Sequence, residues 1–347
     1  MTMSSNIFAT ALAAPRVVIE ADLRPLIGSR IQPTGFPNLG AAEFLEPSGS
    51  RYLLVESAQS IANRLEAVTW DDEAGDLVSP LRGLPFVRTS VNGVETDSIR
   101  EAHRLNSPYL YGIWEDLKKR AGIATLSGKK TKKAPGDDGD EGEAEAASAS
   151  VDRRKLAQAV FYYDPSAVLH GVFLEKITGL ARLTRVLSGF VEAHDVELVA
   201  SGGVKNDRLD PSGKAYTISR DGKEKGGAEA GFGNVPYART EYTAKRIVAS
   251  FVIDTALIRS YGLGEAAERI LVALGLWKIA TLLEGGMRLR TACDLVVEED
   301  GMRIVRPNAM QMPSIDELDS EIATQRAACE RAGSFASPPV TVVSFAK

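Results

Sequence analysis

The chain has 347 residues, 44% of them hydrophobic, which is enough to bury a full core as one elaborated domain or two. Lys+Arg number 41 against 46 Asp+Glu, and the net charge of -5 excludes attraction of the whole surface to nucleic acid or an anionic membrane. Any polyanion site is therefore expected to be a local patch. Two cysteines, Cys293 and Cys329, fit neither a disulfide framework nor a zinc cluster, so a reducing compartment, the cytoplasm, is expected. The start "MTMSSNIFATALAAPR" has no basic residue before Arg16, and no stretch reaches roughly 18 uninterrupted apolar residues, so neither export nor membrane insertion is expected.

In chain order, "RVVIEADL" (16–23) and "SRIQPTGF" (29–36) read as strands around the turn "RPLIG". "LLVESAQSIANRLEAV" reads as a helix, with Val55, Ala58, Ala62, Leu65 and Val68 at helical spacing. "TDSIREAHRL" opens another, with Ser98 and Glu101 spaced as a capping box. Residues 127–150 set four lysines beside an acidic Ala/Gly/Glu tract without large apolar residues, and are expected to be a disordered insertion. "VLHGVFLE" (168–175), "GFVEAHDVELV" (189–199) and "RIVASFVIDTALIR" are β-rich. "GEAAERILVALGLWKIATLLEGG" is a helix apolar nearly all round, hence deeply packed and stopped by Gly285 and Gly286, and "ACDLVVEE" returns as a strand. The pattern is α+β, helices packed on a mainly antiparallel sheet.

Catalytic chemistry has little to stand on. His103, His170 and His194 are isolated, no zinc-ligand spacing occurs, and there is no nucleophile elbow, Walker A loop or dinucleotide fingerprint. Asp254 and Asp294 follow apolar strand residues, where a turn or cap role is commoner than a metal site. No catalytic residue, metal or cofactor is assigned.

Between "VELVASG" and "RIVASFVID" runs a long polar excursion, Gly202 to Lys245, with eight Gly, five Lys and three Arg. It cannot close a core of its own. Its composition alone favours a solvated loop whose aromatics fold back on the core.

The phrases "RIQPTGFPNLGAAEF", "VESAQSIANRLE", "NSPYL", "DPSAVLHGVFL", "GFGNVPYARTEYTAK" and "ALGLWKIATLLEGGMRLRTACDL" closely resemble the CRISPR-associated RAMP protein of type I-U, also called type I-G, systems. That protein is the Cas-seven-type backbone subunit of the Cascade effector. The resemblance covers most of residues 16–300. It implies a ferredoxin-like, RRM-like palm with inserted fingers over 16–300, a β-hairpin thumb over 202–245, a flexible N-terminus over 1–15 and a C-terminal extension over 301–347. It also implies several copies stacked head to tail along one CRISPR RNA, other Cascade subunits as partners, target DNA met through guide pairing, and no membrane.

On that resemblance Lys205, Lys214, Lys223, Lys225, Arg239 and Lys245 become candidate phosphate contacts, and Phe232, Val235 and Tyr237 candidate wedge or stacking residues. Ser57, Gln59, Ser60 and Asn63 cluster near a helix N-terminus, where free N–H groups favour a phosphate, although an ordinary polar helix face would look the same. Arg288 and Arg290, two apart after Gly285 and Gly286, are expected on one face of a strand, and Arg30 joins the same RNA-contacting patch. Related type III subunits cut target RNA with an aspartate after the first strands, but "IQPTGFPNLGAAEF" holds only Glu43. The expected function is a non-catalytic CRISPR RNA-binding scaffold in antiviral defence. The alternative is a metal-dependent RAMP endoribonuclease acting on CRISPR or target RNA.

Overall fold

The computed structural model describes residues 3–36, 38–123, 151–175, 181–205, 216–218, 224–226, 235–308 and 310–345. The 127–150 insertion lies outside these residues.

Seven strands form the main sheet: Val17–Pro25 (β1), Glu43–Leu45 (β2), Arg51–Glu56 (β3), Leu187–His194 (β4), Arg246–Ile253 (β5), Met287–Arg290 (β6) and Cys293–Arg306 (β7). Their spatial order is β6-β7-β1-β5-β4-β3-β2, and every pairing is antiparallel. The α+β expectation holds. Period-two burial explains the strands: Val17, Ile19 and Ala21 are fully buried while Val18, Glu20 and Asp22 alternate outward.

The inward face is covered by Ala58–Ala67 (α2) and the long Glu265–Glu284 (α5), the latter flanked by Met3–Ala13 (α1) and Ile315–Arg331 (α6). Arg153–Tyr163 (α3) and Pro165–His170 (α4) pack together between β3 and β4 in sequence. Helix α5 buries thirteen of its residues, including Lys278, as its all-round apolar pattern predicts. The N-terminus, expected to be flexible, is helical with Phe8 and Ala11 fully buried. The C-terminal segment packs onto the body: Val340–Val342 pairs parallel with Phe86–Val91.

Three sequence expectations are corrected. Leu53–Glu56 belongs to β3, and the helix begins only after its N-cap Ser57, whose side chain accepts from Ser60 N at 3.3 Å. The apolar positions 53 and 55 serve a strand whose spacing runs into the following helix. "TDSIREAHRL" forms turns instead of a helix, because Asp97 takes the Ile99 and Arg100 amides and Glu101 accepts from Thr96 and Ser107. Within "VLHGVFLE", residues up to His170 are helical and only Val172–Phe173 is strand.

The ends of the polar excursion pair with each other. Glu197–Lys205 and Val235–Thr243 form a two-stranded antiparallel ribbon, with Glu197 opposite Thr243 and Lys205 opposite Val235. The register is that of the β4–β5 pair, where Leu187 faces Ile253 and His194 faces Arg246. One hairpin therefore runs from the centre of the sheet out beyond it, changing character at Asp195, which has a φ of 51°.

Candidate nucleic-acid interface

The root of the ribbon is held by charge. Glu241 is almost fully buried, and Arg30 Nη1 lies 3.2 Å from its Oε2 while Arg239 pairs with its other oxygen. Arg30 also donates to Ser201 Oγ at 3.2 Å. Two guanidiniums share one carboxylate, so the cluster keeps a net positive charge beside an exposed strand.

Arg30 reaches this place because the next residue, Ile31, exchanges backbone hydrogen bonds with Tyr242 at 2.8 and 2.9 Å. Beyond this bridge and the short Gly35–Phe36 pairing, "SRIQPTGF" makes no strand, and the segment serves to dock the ribbon. Tyr242 is buried and its hydroxyl bonds to Glu43, and burial with that carboxylate pushes its pKa up to about 12.

Farther out, Tyr237 stands opposite Gly203, with its ring over the glycine: a Cβ built on Gly203 would lie 2.8 Å from the hydroxyl and 3.0 Å from Cζ. A glycine is needed there for the aromatic ring to lie down. Tyr237 remains 52% exposed. The other face of the ribbon is uncharged, with Leu198 and Val204 also exposed. Lys205, Lys225 and Val235 lie in strand backbone, while Lys214, Lys223 and Phe232 fall outside the described residues. Lys245, at the junction with the sheet, is exposed and pairs with Asp195 at 3.7 Å beside an open cavity of about 470 Å³ that Arg51 and Glu197 also line.

The second candidate group joins the first through Gln32. Arg290 donates to Gln32 O at 3.0 Å, Val55 O at 2.5 Å and Glu56 Oε2 at 3.0 Å, immediately before the cap Ser57. Arg288 and Arg290 lie on either side of the buried Leu289, on the face opposite to Met287 and Leu289, and the β6–β7 register shifts between them: Arg288 is exposed and Arg290 is partly buried in the bonds just named. Arg290 is a staple between the 30–32 loop and α2. Gln59 and Asn63 are exposed on α2 and bond to each other at 3.4 Å, and Ser60 is half-buried.

Two residues that sequence reasoning missed organise this helix. Arg64 donates to Leu289 O at 3.2 Å, and Arg185 donates to Ala58 O at 3.0 Å and Gln59 Oε1 at 2.9 Å. Arg64 lay within the quoted helix motif, whereas nothing around Arg185 marks it. At the other end of α2, Glu66 holds Arg104 through bonds of 2.6 and 2.8 Å.

A separate ionisable cluster lies in the core. Lys278 Nζ donates to Ser166 Oγ at 2.6 Å and lies 2.8 Å from His170 Nε2. Burial brings Lys278 down to about 8, pushes Asp164 up to about 6, and drives His170 well below its ordinary value. The cavity beside Ser166 and Lys278 measures about 10 Å³, room for about one water. Asp254 caps the helix Thr255–Ser260 by accepting from Leu257 N at 2.8 Å and meets Arg16 at 3.5 Å. Both cysteines are free and buried. No helix among the described residues is long and apolar enough to cross a membrane.

Residues 17–198 match the family model of CRISPR-associated protein GSU0053. The chain belongs to this family. Its resemblance, on sequence phrases, to a CRISPR-associated RAMP protein is thereby borne out. No curated protein matches. Among solved structures the chain is similar to one described as "CRISPR RNA-guided surveillance complex, pre-nicking", at 12% identity, covering 90% of this chain and 89% of that one, with a TM-score of 0.38. A second is Csc2 of Thermofilum pendens, at 11% identity, covering 92% and 76%, with a TM-score of 0.29.

Proposed function

We propose that this CRISPR-associated chain is a backbone subunit of a type I Cascade complex that holds CRISPR RNA and does not cut it. The observation that carries the reading is the ribbon. It continues two central strands in register, is rooted by Arg30 and Arg239, and presents a half-exposed tyrosine on a glycine. Guanidiniums suit phosphates and an exposed aromatic face suits a base, the two elements of sequence-tolerant single-strand binding.

A ferredoxin-like, RRM-like palm is supported by the strand order. Taken in chain order as first to fourth, β1, β4, β5 and β7 stand fourth-first-third-second, with α2 and α5 on one face. The ribbon would be the thumb. Head-to-tail copies, each contributing one such surface, would extend along a guide and present it to target DNA, a heterologous contact that propagates.

The scaffold reading is favoured over a metal-dependent endoribonuclease because two of the acids a nuclease would use, Glu43 and Asp254, are engaged. Glu43 binds Tyr242 and Arg51, Asp254 caps a helix, and the Lys278 group is buried. The test is co-purification from a host carrying the CRISPR array, with extraction and sequencing of bound nucleic acid. A discrete, repeat-derived RNA that stays intact with Mg²⁺ or Mn²⁺ is expected. Protein free of nucleic acid counts against the reading, and metal-dependent cleavage abolished by Glu43→Ala, Asp254→Ala or Asp294→Ala would establish the nuclease.

A further inference from the structure

Several exposed arginines of the described surface are matched with acids: Arg246 and Arg303 with Glu20 and Asp22, Arg51 with Glu43, and Arg30 and Arg239 with Glu241. The edge where α3 meets the hairpin of Val172–Phe173 and Arg182–Leu183 differs. Arg153 donates to Thr184 Oγ1 at 3.1 Å, the Arg182 guanidinium lies 5.0 Å from the Phe173 ring centroid, and Arg185 holds Ala58 O and Gln59. Among the described residues none of the three forms an ion pair. The adjacent Asp152 is engaged in capping α3 through the Arg154 and Lys155 amides. Phe173 is 41% exposed although Val172 and Leu174 on either side are buried.

We propose that this edge is a second contact for single-stranded nucleic acid, in which an unpaired base stacks on the Phe173–Arg182 pair while Arg153 and Arg185 hold adjoining phosphates. The inference rests on the nucleic-acid-binding reading above. In a chain of net charge -5, arginines without a direct ion pair on one edge maintain a local positive potential. An aromatic ring paired with a guanidinium offers flat surfaces on which any base can stack. Arg185 ties the edge to Gln59, so the strand would pass from the N-terminus of α2 onto the platform. Burial and the neighbouring Arg104 disfavour the charge of Arg185, only partly offset by Glu66, a cost that a phosphate would relieve.

The test measures binding of the full chain to a 12-nucleotide single-stranded RNA, and to DNA of the same sequence, by anisotropy over a salt series. Phe173→Ala and Arg182→Ala should each weaken binding roughly 5- to 100-fold. Arg153→Ala should lower the salt slope by about 0.7. A Phe173→Trp variant should retain binding and show fluorescence quenching by RNA or DNA beyond that of the native tryptophans, a readout insensitive to a merely structural role. Wild-type affinity in all three substitutions, with no added quenching, overturns the platform while leaving the ribbon reading standing if Tyr237→Ala still binds weakly. A wild-type chain that binds neither probe overturns both.

Discussion

The β4–β5 hairpin carries the same device twice. In the sheet Gly189 faces Phe251, and a Cβ on that glycine would lie 2.4 Å from the phenyl ring; on the ribbon Gly203 faces Tyr237, and a Cβ there would lie 2.8 Å from the hydroxyl at the ring's tip. Phe251 is fully buried beneath the helical layer, whereas Tyr237 is 52% exposed with nothing above it among the described residues. The same glycine–aromatic pairing thus serves opposite ends. Covered by helices, an aromatic ring on glycine is core; uncovered, beside arginines, it is a surface suited to contact. The covering layer decides the role.

That contrast can be broken at its covered end first. Phe251→Ala should cost about 3–5 kcal/mol of unfolding free energy in a urea titration, since a fully buried ring leaves a cavity. Tyr237→Ala should change stability by less than about 1 kcal/mol, and a loss as large as that at Phe251 would mean that the ribbon is core after all.

The buried ionisable group sharpens the comparison through pH. Asp164 is raised in the fold from 3.8 to about 6, so the folded state binds more protons between those values and stability falls as pH rises through them. Lys278 is lowered from 10.5 to about 8, so the unfolded state binds more protons there and stability rises from about pH 8 to pH 10.5. The alkaline limb is expected to amount to roughly 3 kcal/mol and to flatten in Lys278→Met. RNA affinity should not follow either limb, because neither group faces the ribbon. A parallel drop in affinity would couple core and interface.

A smaller effect comes from filling the glycine. Gly189→Ala should destabilise by about 1–3 kcal/mol through overpacking against Phe251 and the Ser250 carbonyl. Gly203→Ala should chiefly swing the Tyr237 ring away and so reduce RNA affinity more than stability. Equal losses of stability in both would remove the distinction.

Where one period dominates a window, sequence and structure agree: β1, β5, β7 and α5 follow from alternating or all-round apolar patterns. Where two elements abut, they part. The apolar residues of β3 fall at spacings that continue into α2, and only the Ser57 cap separates them. The 97–107 turns owe their shape to the Asp97 and Glu101 carboxylates, which compete with a helix for backbone and hydroxyl donors. At the site, Arg30 and Arg239 were legible as basic residues, but their shared carboxylate Glu241 was not, since cross-strand partners become visible only with register. Arg290 was likewise legible as a basic residue, but its bonds to Gln32, Val55 and Glu56 were not, for the same reason.

The claim that the ribbon holds single-stranded RNA through charge at its root and stacking farther out is tested most directly by affinity over a salt series for wild type, Arg30→Ala and Tyr237→Ala. Arg30→Ala leaves Arg239 on Glu241, so the buried carboxylate keeps a partner. The account predicts that Arg30→Ala lowers the salt slope by about 0.7, and that Tyr237→Ala weakens binding by about 1–3 kcal/mol at unchanged slope. Wild-type affinity and slope in both variants would contradict it.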